Sequence, residues 1–145
     1  MRSGRLHRYN VAEGEQGHVA LLEQEFAASV EASFCLAVAS GGYALATALR
    51  ALNVQPGDRV LTNAFTLAPV PGSIASVGAI PVYVGVTEDL VIDLEDLQAK
   101  IAQADVLMLS HMRGHICDMD HLMKICDQAG VRVIEDCAHT MGEKW

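Results

Sequence analysis

Positive charge, paired cysteines and any unbroken apolar run long enough to cross a bilayer are all scarce in this sequence. Lysine and arginine number 10 against 18 aspartates and glutamates, a formal net charge of −8. That balance argues against an electrostatic grip on nucleic acid or anionic lipid. Arg2, Arg5 and Arg8 give the N-terminus a local basic bias, but no basic stripe continues from them. The four cysteines, Cys35, Cys117, Cys126 and Cys137, form no Cys-x-x-Cys pair, so buried free thiols in a reducing compartment are expected. The most apolar stretch, 61–86, is cut by Asn63, Pro69, Pro71, Gly72 and Pro81, punctuation that a membrane-spanning helix does not carry. No apolar segment follows the N-terminal arginines as in a secretory leader, and a cytoplasmic protein is expected. Gly-x-Gly-x-x-Gly and a P-loop lysine are missing too, which removes support for a dinucleotide fold or an NTPase.

What the sequence does contain is core. Half of its 145 residues are hydrophobic (51%), only 19% are charged, and mean hydropathy is +0.24. Disorder requires the opposite balance. The length suits one domain, and the composition suits buried parallel strands, or a fragment whose natural partner surface lies elsewhere. Apolar residues at helical spacing (Val19, Leu22, Phe26, Val30) predict an amphipathic helix over 18–30. Short apolar runs predict strands at 34–38, 59–62, 80–84, 106–109 and 131–134, with helices over 43–52, 73–77, 93–102 and 118–129 between them. Asp93 is a predicted N-cap and Gly130 a predicted helix stop. Such alternation implies an α/β fold, a mostly parallel sheet layered between helices.

Ligands of an open parallel sheet bind beyond the carboxyl ends of its strands. Four expected strand ends carry unusual residues: Ser40-Gly41-Gly42, Thr62-Asn63-Ala64-Phe65-Thr66, Ser110-His111-Met112-Arg113-Gly114 and Glu135-Asp136-Cys137-Ala138-His139. Two glycines ahead of a helix leave backbone N–H groups pointing outward at the positive end of its dipole, an anion site, although a plain tight turn uses the same residues. Asp136 follows a buried run, and a carboxylate at the end of a central strand is expensive unless paired. It is either a capped structural aspartate or the partner of a buried cation. His111, His115, Cys117, Asp118, Asp120, His121 and Cys126 crowd one segment, but they lack the spacing of a four-ligand zinc site, and no metal is expected.

Six segments occur together in an order that carries a resemblance: Ala39-Ser40-Gly41-Gly42-Tyr43-Ala44-Leu45, Pro56-Gly57-Asp58-Arg59-Val60, Val77-Gly78-Ala79-Ile80-Pro81-Val82, Ser110-His111-Met112-Arg113-Gly114, Asp118-Met119-Asp120, and the stretch from Val133 to Gly142. With Ser3-Gly4-Arg5-Leu6 at the start, they resemble the DegT/DnrJ/EryC1/StrS family of sugar aminotransferases over essentially the whole chain. The resemblance implies fold type I of the pyridoxal 5′-phosphate (PLP) enzymes, with 1–145 as the N-terminal portion of the PLP-binding large domain. It implies that Gly41 and Gly42 hold the PLP phosphate and that Leu67 lies over the ring. Asp136 would pair with the pyridine nitrogen, and His139 would sit beside the phenolic oxygen. Two departures stand out. The family usually has Thr at Gly42 and an aromatic residue at Leu67, so stacking becomes aliphatic packing unless Phe65 substitutes. The family's Schiff-base lysine and small C-terminal domain are expected beyond Trp145, since Lys100, Lys124 and Lys144 match no family position. The implied reaction is amino transfer from a donor such as glutamate to a keto-sugar, nucleotide-linked, in a homodimer. Other readings are a related dehydratase, in which histidine replaces the lysine, and a non-catalytic module that pairs with a full-length homologue.

Overall fold

In a computed structural model, residues 11–144 are described; Arg2, Arg5, Arg8, the Ser3–Leu6 segment and Trp145 lie outside that range. The chain divides into two units, Met1–Ala39 and Ser40–Trp145.

The second unit is the α/β domain that the alternation predicts. Its strands β1 (Arg59–Asn63), β2 (Ile80–Val84), β3 (Val106–Ser110) and β4 (Arg132–Asp136) form one sheet in the order β2-β1-β3-β4. Every pairing is parallel. Helices α2 (Gly41–Ala51), α3 (Pro69–Ser76), α4 (Leu94–Lys100) and α5 (Met119–Ala129) complete the layers. Strand alternation sends successive side chains to opposite faces, and the core divides accordingly. Val60, Val106 and Met108 pack with Leu45 and Leu49 of α2 and Val70 and Ile74 of α3. Leu61, Leu107 and Leu109 pack with Leu97 of α4 and Leu122 and Ile125 of α5. All five residues of β3 are buried, as expected of a strand covered on both faces.

Local chemistry sets the helix ends. Asp93 Oδ1 accepts the N–H groups of Glu95 (2.9 Å) and Asp96 (3.2 Å), and Asp118 Oδ1 accepts that of His121 at 3.0 Å. These caps satisfy donors that a first turn leaves open. Gly130 closes α5 in the left-handed region, at φ 71°. Two predicted helices shift. The one expected over 73–77 begins at Pro69, because proline at a first helical position lacks only an N–H that would be unpaired anyway. The one starting from Asp93 ends at Lys100 and tightens into a 3-10 turn, Ile101–Gln103.

The first unit departs further from expectation. Its helix α1 (His18–Ser29) buries no residue, and Leu22, Phe26 and Val30 are all exposed. The strand expected at 34–38 does not form: Phe34 is 91% and Leu36 56% exposed. An apolar run becomes a strand only when a neighbour completes its ladder. Here the Ala37 N–H instead donates to Glu23 Oε1 at 2.7 Å.

Candidate functional site

The direction of the sheet changes between β1 and β3. From β1 the chain crosses through α3 to β2 on one side, and from β3 through α5 to β4 on the other. At such a switch point two crossovers diverge and leave a crevice beyond the carboxyl ends. A cavity of about 440 Å³ lies in this region, and Gly41, Gly42, Leu67, Val70 and Asp136 are among its lining residues. Four of the five residues singled out for the cofactor therefore converge. The fifth, His139, lines a neighbouring cavity of about 520 Å³ with Met112, Arg113 and Leu67. Leu67 belongs to both cavities. Phe65 lines neither of these two cavities.

Gly41 and Gly42 open α2 and do not follow a strand, and neither has a positive φ. Ser40 caps the helix by accepting the Tyr43 N–H at 3.2 Å, and the Ala44 N–H goes to the Ser40 carbonyl. That leaves the N–H groups of Gly41 and Gly42 unpartnered among the described residues, at the positive end of the helix. A Cβ on Gly42 would meet Pro69 Cβ at 3.8 Å, an ordinary contact, so the glycine is not sterically required.

Asp136 is placed by register. Ile134, two residues before it, packs on the α2/α3 side of the sheet, and the alternation of β4 sends Asp136 to that same side. Its Oδ2 accepts from Ser110 Oγ at 3.2 Å and its Oδ1 from the Ala138 N–H at 3.3 Å. The expectation of a carboxylate buried on a central strand needs correction. Among the described strands β4 is an edge, and Asp136 is half-buried, because no further strand covers it.

His139 is exposed, and its ring is oriented by the backbone. Arg113 donates its N–H to His139 Nδ1 at 2.9 Å, so a neutral ring carries its proton on Nε2 and offers a donor there. Arg113 reaches that position at φ 57°, a left-handed conformation that an arginine adopts at some cost.

Other strand-end residues contribute without having been given a cofactor role from the sequence. Asn63, 2% exposed, uses its side-chain amide to hold Ser110. On the other face, buried His111 places Nε2 3.0 Å from Glu135 Oε2. The His111, Glu135 and Cys137 donor atoms lie within 4.8 Å of one another. Of the crowded 111–126 segment, only His111 belongs to this group, and Glu135 and Cys137 are exposed. The His–Glu hydrogen bond accounts for the pair without an ion.

The thiols are free, but only Cys126 is buried; Cys35 and Cys117 are half-buried and Cys137 is exposed. Burial pushes Cys117 and Cys126 up to about 11, which keeps them protonated and unreactive near neutrality. No lysine lines either cavity. Lys100 instead bonds Tyr83 O and Asp96. No helix among the described residues is long and apolar enough to cross a membrane.

The chain is 34% identical over 122 residues to GDP-perosamine synthase of Vibrio cholerae, covering 83% of this chain and 33% of that protein. Its fold superposes on the crystal structure of 3-amino-5-hydroxybenzoic acid (AHBA) synthase with a TM-score of 0.83 at 37% identity, covering 88% of this chain and 34% of the other. AHBA synthase of Amycolatopsis mediterranei is 38% identical over 85% of this chain and 32% of its own length. The chain thus spans about a third of the relatives it matches. The DegT/DnrJ/EryC1/StrS aminotransferase family profile matches residues 9–145, and the chain belongs to that family.

Proposed function

We propose that this chain forms the PLP-holding part of a sugar aminotransferase, which moves an amino group from a donor such as glutamate to a keto-sugar, nucleotide-linked. One observation carries the reading. A single cavity presents unpaired N–H groups of Gly41 and Gly42 and the carboxylate of Asp136. PLP has two poles, an anionic phosphate and a ring nitrogen that becomes cationic on protonation, and the cavity offers a matching group for each. The apolar side chains of Leu67 and Val70 suit the ring between them.

In this role the α2 N-terminus binds phosphate through backbone donors. Asp136 would hold a proton on the ring nitrogen, and His139, whose Nδ1 is engaged by the Arg113 N–H, would offer its Nε2 proton to the phenolic oxygen. When bound, PLP supplies an electron sink for charge developing at the carbon that loses its proton. Glutamate leaves as a 2-oxo acid, and the sugar carbonyl carbon takes up the amino group and a hydrogen. We assign proton transfer to the lysine that the family resemblance puts beyond Trp145. A homodimer is part of the same reading.

The test is a two-stage assay on the full-length gene product loaded with PLP. Glutamate alone should release about one equivalent of 2-oxoglutarate per site, since each site transfers one amino group before an acceptor is needed. Adding nucleotide-linked keto-sugars should then restore turnover. Failure to retain PLP would end this reading.

A further inference from the structure

Its own strand sets the face that Asp136 presents, but not the plane of its carboxylate. Ser110, the last residue of β3, is its register partner, so both side chains leave the sheet on one face. Ser110 Oγ donates to one carboxylate oxygen and the Ala138 N–H to the other. The torsion that turns a carboxylate plane is soft and roughly two-fold. Two donors, the Ser110 hydroxyl and the Ala138 backbone N–H, restrict that freedom.

Ser110 is itself held from the other side. Asn63 Oδ1 accepts the Ser110 N–H at 2.9 Å, and Asn63 Nδ2 donates to the Ser110 carbonyl at 3.1 Å and to the Phe65 carbonyl at 2.9 Å. The regular β1/β3 ladder covers only Leu61↔Leu107 and Thr62↔Met108. Beyond it, where the strands part at the switch point, the Asn63 amide makes the hydrogen bonds that a peptide group would make. Asn63 is 2% and Ser110 7% exposed, so water does not compete for these bonds.

We infer that Ser110, anchored by the Asn63 amide, is a positioning residue that sets the plane of the Asp136 carboxylate toward the cofactor's ring nitrogen. The inference rests on the reading of this cavity as the PLP site. It assigns the chain from Asn63 through Ser110 to Asp136 a role in cofactor electronics beyond packing.

A double-mutant cycle on the full-length protein tests it, with the PLP dissociation constant and the ¹⁵N shift of ring-labelled PLP as readouts. Ser110→Ala should weaken PLP binding about fivefold, less than loss of the carboxylate itself, because the bond it removes only orients Asp136. It should also move the ring-nitrogen shift toward the neutral pyridine value, in the direction of Asp136→Asn but by less. In the Asp136→Asn background, Ser110→Ala should add no more than about twofold, because two residues acting through one contact are not additive. Additive losses, or an unchanged nitrogen shift in Ser110→Ala while Asp136→Asn moves it, overturn the positioning role alone. An Asp136→Asn variant that binds PLP like wild type, with the same nitrogen shift, overturns the cofactor reading, and the inference falls with it. Asn63→Ala should lower the melting temperature and also shift the ring nitrogen. A loss of stability with the wild-type nitrogen shift removes Asn63 from the role.

Discussion

The sheet has cavities at both ends, and the one at the amino ends is larger than the candidate cofactor cavity at the carboxyl ends. At the amino ends of the strands, about 570 Å³ is lined by Asp58, Arg59, Asp105 and Arg132 among others; at the carboxyl ends the cavity that Asp136 lines is about 440 Å³. The amino-end charges come in both signs, and several are engaged locally. Arg59 donates to Gln103 Oε1 at 2.7 Å, and Asp58 Oδ2 takes the Gln55 N–H at 2.7 Å. The end of α2 reached there is its C-terminus, Leu52 and Asn53, where the dipole is negative. At the carboxyl end, α2 presents its N-terminus with two free N–H groups, and a single carboxylate stands on the same side of the sheet. Chain direction, not volume, distinguishes a site from a gap.

The largest effect that could break this contrast is at the two aspartates. Asp136→Asn should weaken PLP binding by about ten- to a hundredfold, the range for a hydrogen bond to a charged partner. Asp58→Asn should leave it within about twofold, since Asp58 serves a turn. Measured by absorbance titration, equal losses would erase the distinction between the two ends. His139 comes next. His139→Ala should cost about three- to tenfold in PLP affinity, whereas His139→Gln, which keeps a side-chain N–H donor, should stay close to wild type. A glutamine variant as weak as alanine would show that the donor is not what matters.

Gly42→Thr sharpens the comparison in the opposite direction. The position has room for a side chain, and a hydroxyl beside the free N–H groups should tighten PLP about threefold. Weaker binding would mean that the α2 N-terminus does not receive the phosphate. The smallest effect concerns acid stability, away from both cavities. The Gly85 N–H and the Lys100 ammonium hold the Asp96 carboxyl below its usual value of 3.8. A lowered folded-state value stabilises the fold fully above 3.8, and the contribution is lost as pH falls from there toward the lowered value. Melting temperatures of wild type and Asp96→Asn should therefore differ at neutral pH and converge in strong acid. A gap that persists unchanged through the acid range would remove the linkage.

Much of the second unit was legible because its signals are local. Asp93 caps the helix that follows it, and Gly130 ends α5; each acts within a few residues of itself. The runs that became β1 to β4 are punctuated by turn residues and apolar on both faces, which a covered parallel sheet requires. The run at 34–38 carried the same apolar signal and formed no strand. Composition can mark a segment that is able to pair, but it cannot supply the neighbour. Asn63 and Ser110 stood in view at two strand ends without a role. Arg113 resembled any loop arginine, yet its contribution is a backbone N–H delivered to His139, 26 residues away.

By itself the sequence determined the α/β class, the Asp93 cap and the Gly130 stop, which rest on residue types at fixed local spacing, and its six ordered segments carried the family resemblance that directed attention to five residues. Tertiary structure decided which face Asp136 presents, that it is half-buried at an edge of the described sheet, and what fixes its plane. Those properties depend on register between strands, and the bonds that express it join Asn63 to Ser110 across 47 residues and Ser110 to Asp136 across 26. A slip of one residue would turn the carboxylate to the opposite face while leaving every local pattern intact.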